Sequence, residues 1–550
     1  MRFQLDHDWQ GNMSTPRARV GDGVKTQLLL VLCAIWILLG LTGHAPWKPL
    51  ESTSISVVKT ILDGGSLLAP LPSGALSLET PPLYYLSAAA SAQLFSPFLN
   101  IHDGARLVNA LWLSIILLMV GMTGRELWSR GVGRHATFIM IGTIGLVISA
   151  HSLSAEVASL ASTATGFYAL ALSKRRPWRA SGLFGAALSI GFLSFGIMPV
   201  LIMASTALML PLLFKAWRTP SFAKFLGVAI LIASLPIFAW LIMLHYYNPV
   251  LLTLWWQTNL YDFNELNHLY FLRILVWYAW PALPLSLLGL WRYRLQLLSK
   301  PKFQLMLTFF ICSILFLGLG APTKDISALP LLLPLVALGA GSVEHLKRGT
   351  AAALNWFGIM LFGLIGGLIW LGWFAMMTGH PAKIKERIVF LSGLSELHFS
   401  WLAFVIGLIV TLIWIFVCIR AKQTNKSTVT NWAVGMTFGW GLLMSLWLPL
   451  IDSAKSYQPV FSSFSKALPK TYNCINSLNI GPQQRLLLNY YTNINLKSFE
   501  TTQELNCDLY LLQDTRGIGK MQPGQEWQQI WSSKRAADRK EGFRLFQRVK

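Results

Sequence analysis

Two carboxylates near the start of the chain stand where a proton-transferring group would have to be held still. Glu51 lies in "HAPWKPLESTSISVVKTILDGG" and Glu79 in "ETPPLYY". In the first stretch Pro49 suits a helix start, Glu51 falls in the first turn, and Gly64-Gly65 is a stop signal. Ile55, Val58, Ile61 and Leu62 share one face, which predicts a short amphipathic helix lying on a membrane surface. The helix dipole would keep Glu51 ionised, and complementing that dipole is also a sufficient reason for an acid at this position. In the second stretch Pro81 and Pro82 forbid helix at Thr80 and Pro81 but allow one to open immediately afterwards. That geometry holds Glu79 at the mouth of a cavity while Tyr84 and Tyr85 ride on the following helix. An interfacial anchor would account for the tyrosines, though not for the acid or the rigid proline pair.

The elements that must position these acids are membrane spans. Of 550 residues 54% are hydrophobic and 12% charged, against about 25% charged in soluble domains. The net charge of +22 comes from short basic clusters between apolar runs, which is the pattern of orientation signals and excludes a nucleic-acid-binding domain. Apolar segments recur about thirteen times between residues 27 and 450, each near the ~20 residues a span requires. The first reads as an anchor and not as a cleaved leader. Alternate loops carry Arg125, Arg130 and Arg134, then "KRRPWR", then Lys215, Arg218 and Lys224. This bias puts residues 1–26 in the cytoplasm and, with an odd number of spans, the tail outside. The fold class is therefore an all-α polytopic membrane protein with a transmembrane domain over 27–450 and a small α/β domain over 451–550. Its outer loops are expected at 44–106 and 245–273. The tail predicts strand, helix, strand and closing strand, with Cys474 and Cys507 on two of the strands. In an oxidising compartment these cysteines can form a disulfide; otherwise they are two half-buried thiols.

The run "ETPPLYYLSAAASAQLFSP", followed by "GARLVNAL", resembles the first periplasmic loop of bacterial GT-C glycosyltransferases. The resemblance is to the aminoarabinose transferase and protein mannosyltransferase-like branch, similar to glycosyltransferase family 39. It implies sugar transfer from a polyprenyl-phosphate carrier to lipid A, a glycan or a protein on the periplasmic face of the inner membrane, with inversion at the anomeric carbon. It also implies an acid in the first outer loop as base, and cations on the lipid phosphate. Carried over residue by residue, it points to Glu51 and to Glu156, in "HSLSAEVASL", as catalytic acids. Glu156 adjoins a span, where a carboxylate is costly unless it faces a cavity or a partner. Arg106, Arg273 and Lys324 are the expected phosphate contacts; snorkelling to the interface explains either arginine equally well, and a local ion pair with Asp325 explains Lys324. Some relatives hold a divalent metal between residues placed like Glu79 and His268, but one Glu and one His are too few to define a metal site. The chain departs from the family at Leu50, where an Asp is usual, and at Thr80, where a Lys is usual.

Two rival functions follow. A non-catalytic relative would bind the lipid carrier or assist envelope-glycan assembly. A transporter would place ionisable groups near the bilayer midplane and show internal repeats, and neither feature is present in the sequence.

Overall fold

A computed structural model describes residues 22–73, 75, 78–260, 268–420, 425–498, 507–514, 524, 526–538 and 541–549. The chain begins with α1 (Asp22–Leu38), α2 (Leu50–Leu62) and α3 (Leu83–Phe95), and α4 (Ile101–Arg106) runs almost directly into α5 (Val108–Leu127). Next come α6 (Arg130–Ile141), α7 (Ile144–Ser149), α8 (Ala155–Leu172), α9 (Pro177–Phe195), α10 (Ile197–Leu213), α11 (Pro220–Tyr247) and α12 (Pro249–Leu260). The bundle continues with α13 (His268–Tyr278), α14 (Ala282–Arg292), α15 (Pro301–Gly320), α16 (Leu329–Ser342) and α17 (Arg348–Thr378). It closes with α18 (Ala382–Ser392), α19 (Trp401–Arg420) and α20 (Asn425–Leu446); α21 (Leu448–Lys455) and α22 (Gln458–Ala467) lead into the tail.

Six of the described helices are both long and apolar enough to cross a membrane, or eight if two bent pairs each form one span. The pairs bend by 103° at Trp280-Pro281 and by 68° near Trp447. The sequence expectation of about thirteen spans also counted α1 and α10, which have only 17 residues each, residues 136–151, which divide between α6 and α7, and α8 and α9, whose apolar runs are diluted by Ser, Thr and Gly. Every residue of α16 is buried, which makes it the centre of the bundle, whereas α19 turns almost all of its surface outward. Residues 249–260, expected within an aromatic loop, form helix α12 instead.

The elements around the acids follow their local chemistry. Helix α3 opens at Leu83, directly after the proline pair. Helix α2 starts after Pro49 and is followed by Gly64 at φ +88°. Besides Ile55 and Val58 it buries Glu51, Ser52, Ser54 and Ser56, so α2 is covered on more than its apolar face. A second layer packs against it.

That layer is the tail. Strands β1 (Ile475–Leu478), β2 (Lys497–Ser498), β3 (Leu509–Asp514), β4 (Trp527–Lys534) and β5 (Gly542–Arg548) form one sheet in the order β2-β1-β3-β5-β4. β1 runs parallel to β2 and β3, and β5 is antiparallel to β3 and β4. The crossover between β1 and β2 is α23 (Pro482–Thr492). Cys474 and Cys507 are joined in a disulfide just ahead of β1 and β3. Sequence reading missed β2, a two-residue strand, and β4, an edge strand whose mostly polar run "WQQIWSSK" lacks a clear apolar alternation. Helix α23 packs on α2. Lys59 Nζ donates to the carbonyls of Asn489 (3.1 Å) and Tyr490 (3.2 Å) in the last turn of α23.

In the sheet, Arg544 makes a bidentate pair with Asp514 at 2.7 and 3.0 Å, with both side chains buried. Removing one partner leaves an uncompensated buried charge. Arg544→Ala is expected to cost the tail about 3–5 kcal/mol, read as earlier thermal unfolding and faster proteolysis of the tail in the full-length protein.

Candidate functional site

The site is organised around Arg106, the last residue of α4, which is 1% exposed. All five of its N–H groups are used. Nε donates to Glu51 Oε1 (2.7 Å) and Nη2 to Glu51 Oε2 (2.9 Å) and the Ala45 carbonyl (2.9 Å). Nη1 donates to Asp103 Oδ1 (2.9 Å) and the His44 carbonyl (2.8 Å). A guanidinium has five donors in a fixed fork, so this set leaves none for another anion.

Glu51 is equally committed. Its Oε1 also accepts the Leu153 backbone N–H (2.8 Å) and its Oε2 the Trp47 N–H (2.8 Å). Burial alone would raise its pKa, but the Arg106 charge and hydrogen bonds outweigh burial and lower it from 4.5 to about 2. Burial and the neighbouring Arg106 charge push His44 the other way, below its ordinary value, so its ring stays neutral as it stacks on Trp47 at 4.0 Å. Asp452, at the start of the tail, holds the same loop from the far side. Its Oδ1 accepts the Ala45 N–H (3.0 Å) and the Trp47 indole N–H (2.9 Å).

From this clamp a chain of hydrogen bonds leads to the turn before α8. Glu51 fixes Leu153, and the Ser154 N–H donates to the Tyr84 hydroxyl (2.8 Å). Tyr84 donates to Asn109 Oδ1 (2.9 Å), and Asn109 Nδ2 donates to the Ser152 carbonyl (2.7 Å). The Ser154 hydroxyl donates to Glu156 Oε2. Glu156 lies in the first turn of α8.

Glu156 and Glu79 line one cavity of about 1060 Å³, open mouth included. Thr80, Ser159, Thr258, Asn259 and Ser327 supply its other polar groups, and Phe195, Leu317 and Pro330 are part of an apolar wall. Among the described residues, no Lys or Arg lines it. Gly196, at φ +104°, breaks α9 from α10 beside it. A Cβ at Gly196 would lie 3.0 Å from Asn259 Oδ1, so the glycine lets Asn259 approach the wall.

The residues expected at the site therefore divide. Glu79 and Glu156 share the cavity. Glu51 and Arg106 form the buried clamp, and Tyr84 belongs to the relay from it. Tyr85 is buried, its hydroxyl accepting from Thr80 Oγ1 at 3.2 Å. Lys324 is exposed at the rim, between the lining residues Pro322 and Ile326, and Asp325 beside it accepts the Tyr270 hydroxyl at 2.7 Å. Arg273 is exposed on α13 and does not line the cavity. The side chain of His268 lies outside the described residues, so the expected Glu79–His268 pair does too. Among the described residues no group of three or more His, Cys, Asp or Glu could hold a metal. Sequence reading missed Asp103, Asn109 and Asn259. Asp103 had a visible signal, three residues before Arg106 on one helix face; Asn259 had none.

Arg106→Ala is expected to destabilise the protein by about 3–5 kcal/mol, because it strands Glu51. Arg106→Lys is expected to recover only part of this, since an ammonium cannot reproduce the fork. The acid response tests the same pair. Because the folded-state pKa of Glu51 is depressed, its contribution is complete above about 4.5 and is lost as pH falls toward about 2. Melting curves of Glu51→Gln in detergent should lack that acid limb.

No family model matches the chain. A curated relative in Pseudomonas savastanoi pv. phaseolicola, an undecaprenyl phosphate-alpha-4-amino-4-deoxy-L-arabinose arabinosyl transferase, is 24% identical over 362 residues. A protein of the same name in Pseudomonas aeruginosa is 25% identical over 359 residues. These matches cover 62% and 61% of this chain and 65% and 63% of the relatives, less than two thirds of their length. Two crystal structures of ArnT from Cupriavidus metallidurans align at 12% identity over 98% of their length. The apo form gives a TM-score of 0.71 over 95% of this chain, and the undecaprenyl phosphate-bound form 0.68 over 96%. In fold this chain is similar to the Cupriavidus metallidurans ArnT, and in sequence it is similar to the aminoarabinose transferases.

Proposed function

We propose that this chain is an inner-membrane glycosyltransferase that takes an amino sugar from undecaprenyl phosphate and passes it to an envelope acceptor, lipid A first among them, on the periplasmic face. The observation that carries this reading is the cavity lined by Glu79 and Glu156 with no lining cation among the described residues. Such a cavity suits a sugar bearing an ammonium group, as in the donor named for the relatives. Asn259, Ser159 and Thr258 offer hydrogen bonds to its hydroxyls.

In the proposed step one Glu156 oxygen takes the proton of the acceptor hydroxyl as the hydroxyl oxygen attacks the anomeric carbon. The bond from that carbon to the carrier phosphate breaks, the carrier leaves as undecaprenyl phosphate, and the configuration inverts. Lys324 at the rim, with Arg273 on α13, takes the phosphate charge. Glu51 serves as a positioning residue, since both its oxygens are already filled by the clamp. Two acids converging on one cavity support an enzyme over an accessory lipid-carrier-binding protein.

The test is mass spectrometry of lipid A and envelope glycans from a strain lacking this protein, complemented with wild type or Glu156→Gln at matched expression. An amino-sugar-sized mass should vanish on deletion and return with wild type. Glu156→Gln should restore less than about 1% of it, from the ~10²–10⁴-fold contribution of a positioned base. Full restoration by Glu156→Gln removes Glu156 as the base. No change of any envelope mass on deletion overturns the transferase reading.

A further inference from the structure

A second large concavity runs along α5, and its Arg125 end lies about 30 Å from Arg106 at the helical rise. It is a groove of about 1020 Å³ between α1, α5 and α6, and Leu30, Ala34, Leu118 and Gly121 are part of its wall. Its origin is steric. Helices α5 and α6 pack closely through glycines: a Cβ on Gly133 would lie 2.5 Å from the Gly121 carbonyl oxygen, and one on Gly124 would lie 2.8 Å from Ala136 Cβ. Helix α1 leans against both without filling the space they leave. Leu30 and Leu118 are 62% and 58% exposed, so the groove opens sideways from the bundle.

Charge and length identify the occupant. Two lining residues are guanidiniums, Arg125 and Arg134, on adjoining turns of α5 and α6; a Cβ on Gly133 would lie 3.2 Å from Arg125 Cβ. From Arg125 to Ser114, the far lining residue on α5, the groove runs about 16 Å at the helical rise. The apolar part of one leaflet is half of the ~30 Å hydrocarbon core, so the groove spans one leaflet. We infer that this groove is a binding site for an anionic glycerophospholipid of the leaflet at the Arg125 end. One acyl chain lies along α1 and α5, and the phosphate is held by Arg125 and Arg134. The site is independent of what occupies the acid-lined cavity.

The test uses the full-length protein in phosphatidylcholine nanodiscs containing a phosphatidylglycerol with a photoactivatable acyl chain, and maps crosslinked peptides by mass spectrometry. Crosslinks should concentrate on α1 and α5, and unlabelled phosphatidylglycerol should displace them where added phosphatidylcholine does not. Arg125→Ala with Arg134→Ala should weaken labelling by about tenfold or more. Ala34→Trp, which fills the groove without touching either arginine, should abolish it. Equal displacement by phosphatidylcholine, or stronger displacement by undecaprenyl phosphate, overturns the assignment, as does labelling spread evenly around the bundle. If the arginine variant does not fold, Ala34→Trp and the competition on wild type decide the question.

Discussion

A buried guanidinium is tolerated only when its charge and all its donors are matched, and Arg106 meets both conditions. Its partners come from the loop before α2, from α2 and from its own helix. The Arg106–Glu51 pair therefore fixes α2 and the loop before it to α4. Asp452 and the Lys59 contacts close the loop from the other side, so the tail acts as a lid over α2.

The clamp bears on the chemistry through geometry. Glu51 holds Leu153, Tyr84 holds Ser154, and Ser154 holds Glu156. A base in an open cavity has few groups of its own to orient it. Here the rigidity is borrowed from a dry, fully satisfied network a few residues away. This gives a physical reason for an acid at Glu51 even where the preceding position is Leu50: the pair is needed for shape whether or not it touches substrate.

The two large concavities are complementary in charge. The cavity beside α8 carries acids and polar hydroxyl or amide groups, while the groove along α5 carries arginines and alkyl side chains. One bundle thus presents an anionic surface to what we propose is a cationic sugar, and a cationic one to what we infer is lipid phosphate.

Much was legible in the sequence by itself. Hydropathy determined a membrane protein, because few charges interrupt its apolar runs, and the proline pair determined where α3 begins. The periodicity of the tail determined three of its five strands. Only the tertiary structure decided the rest. Helices α16 and α19 are alike in apolar composition, yet one is central and the other peripheral, since hydropathy reports burial from water and cannot distinguish lipid from protein. Glu51 looked like a surface acid because the partners that bury it, Arg106 and Leu153, lie 55 and 102 residues away. Whether an acid is a lock or a base depends on which of its lone pairs are already filled, and only packing between distant segments fixes that.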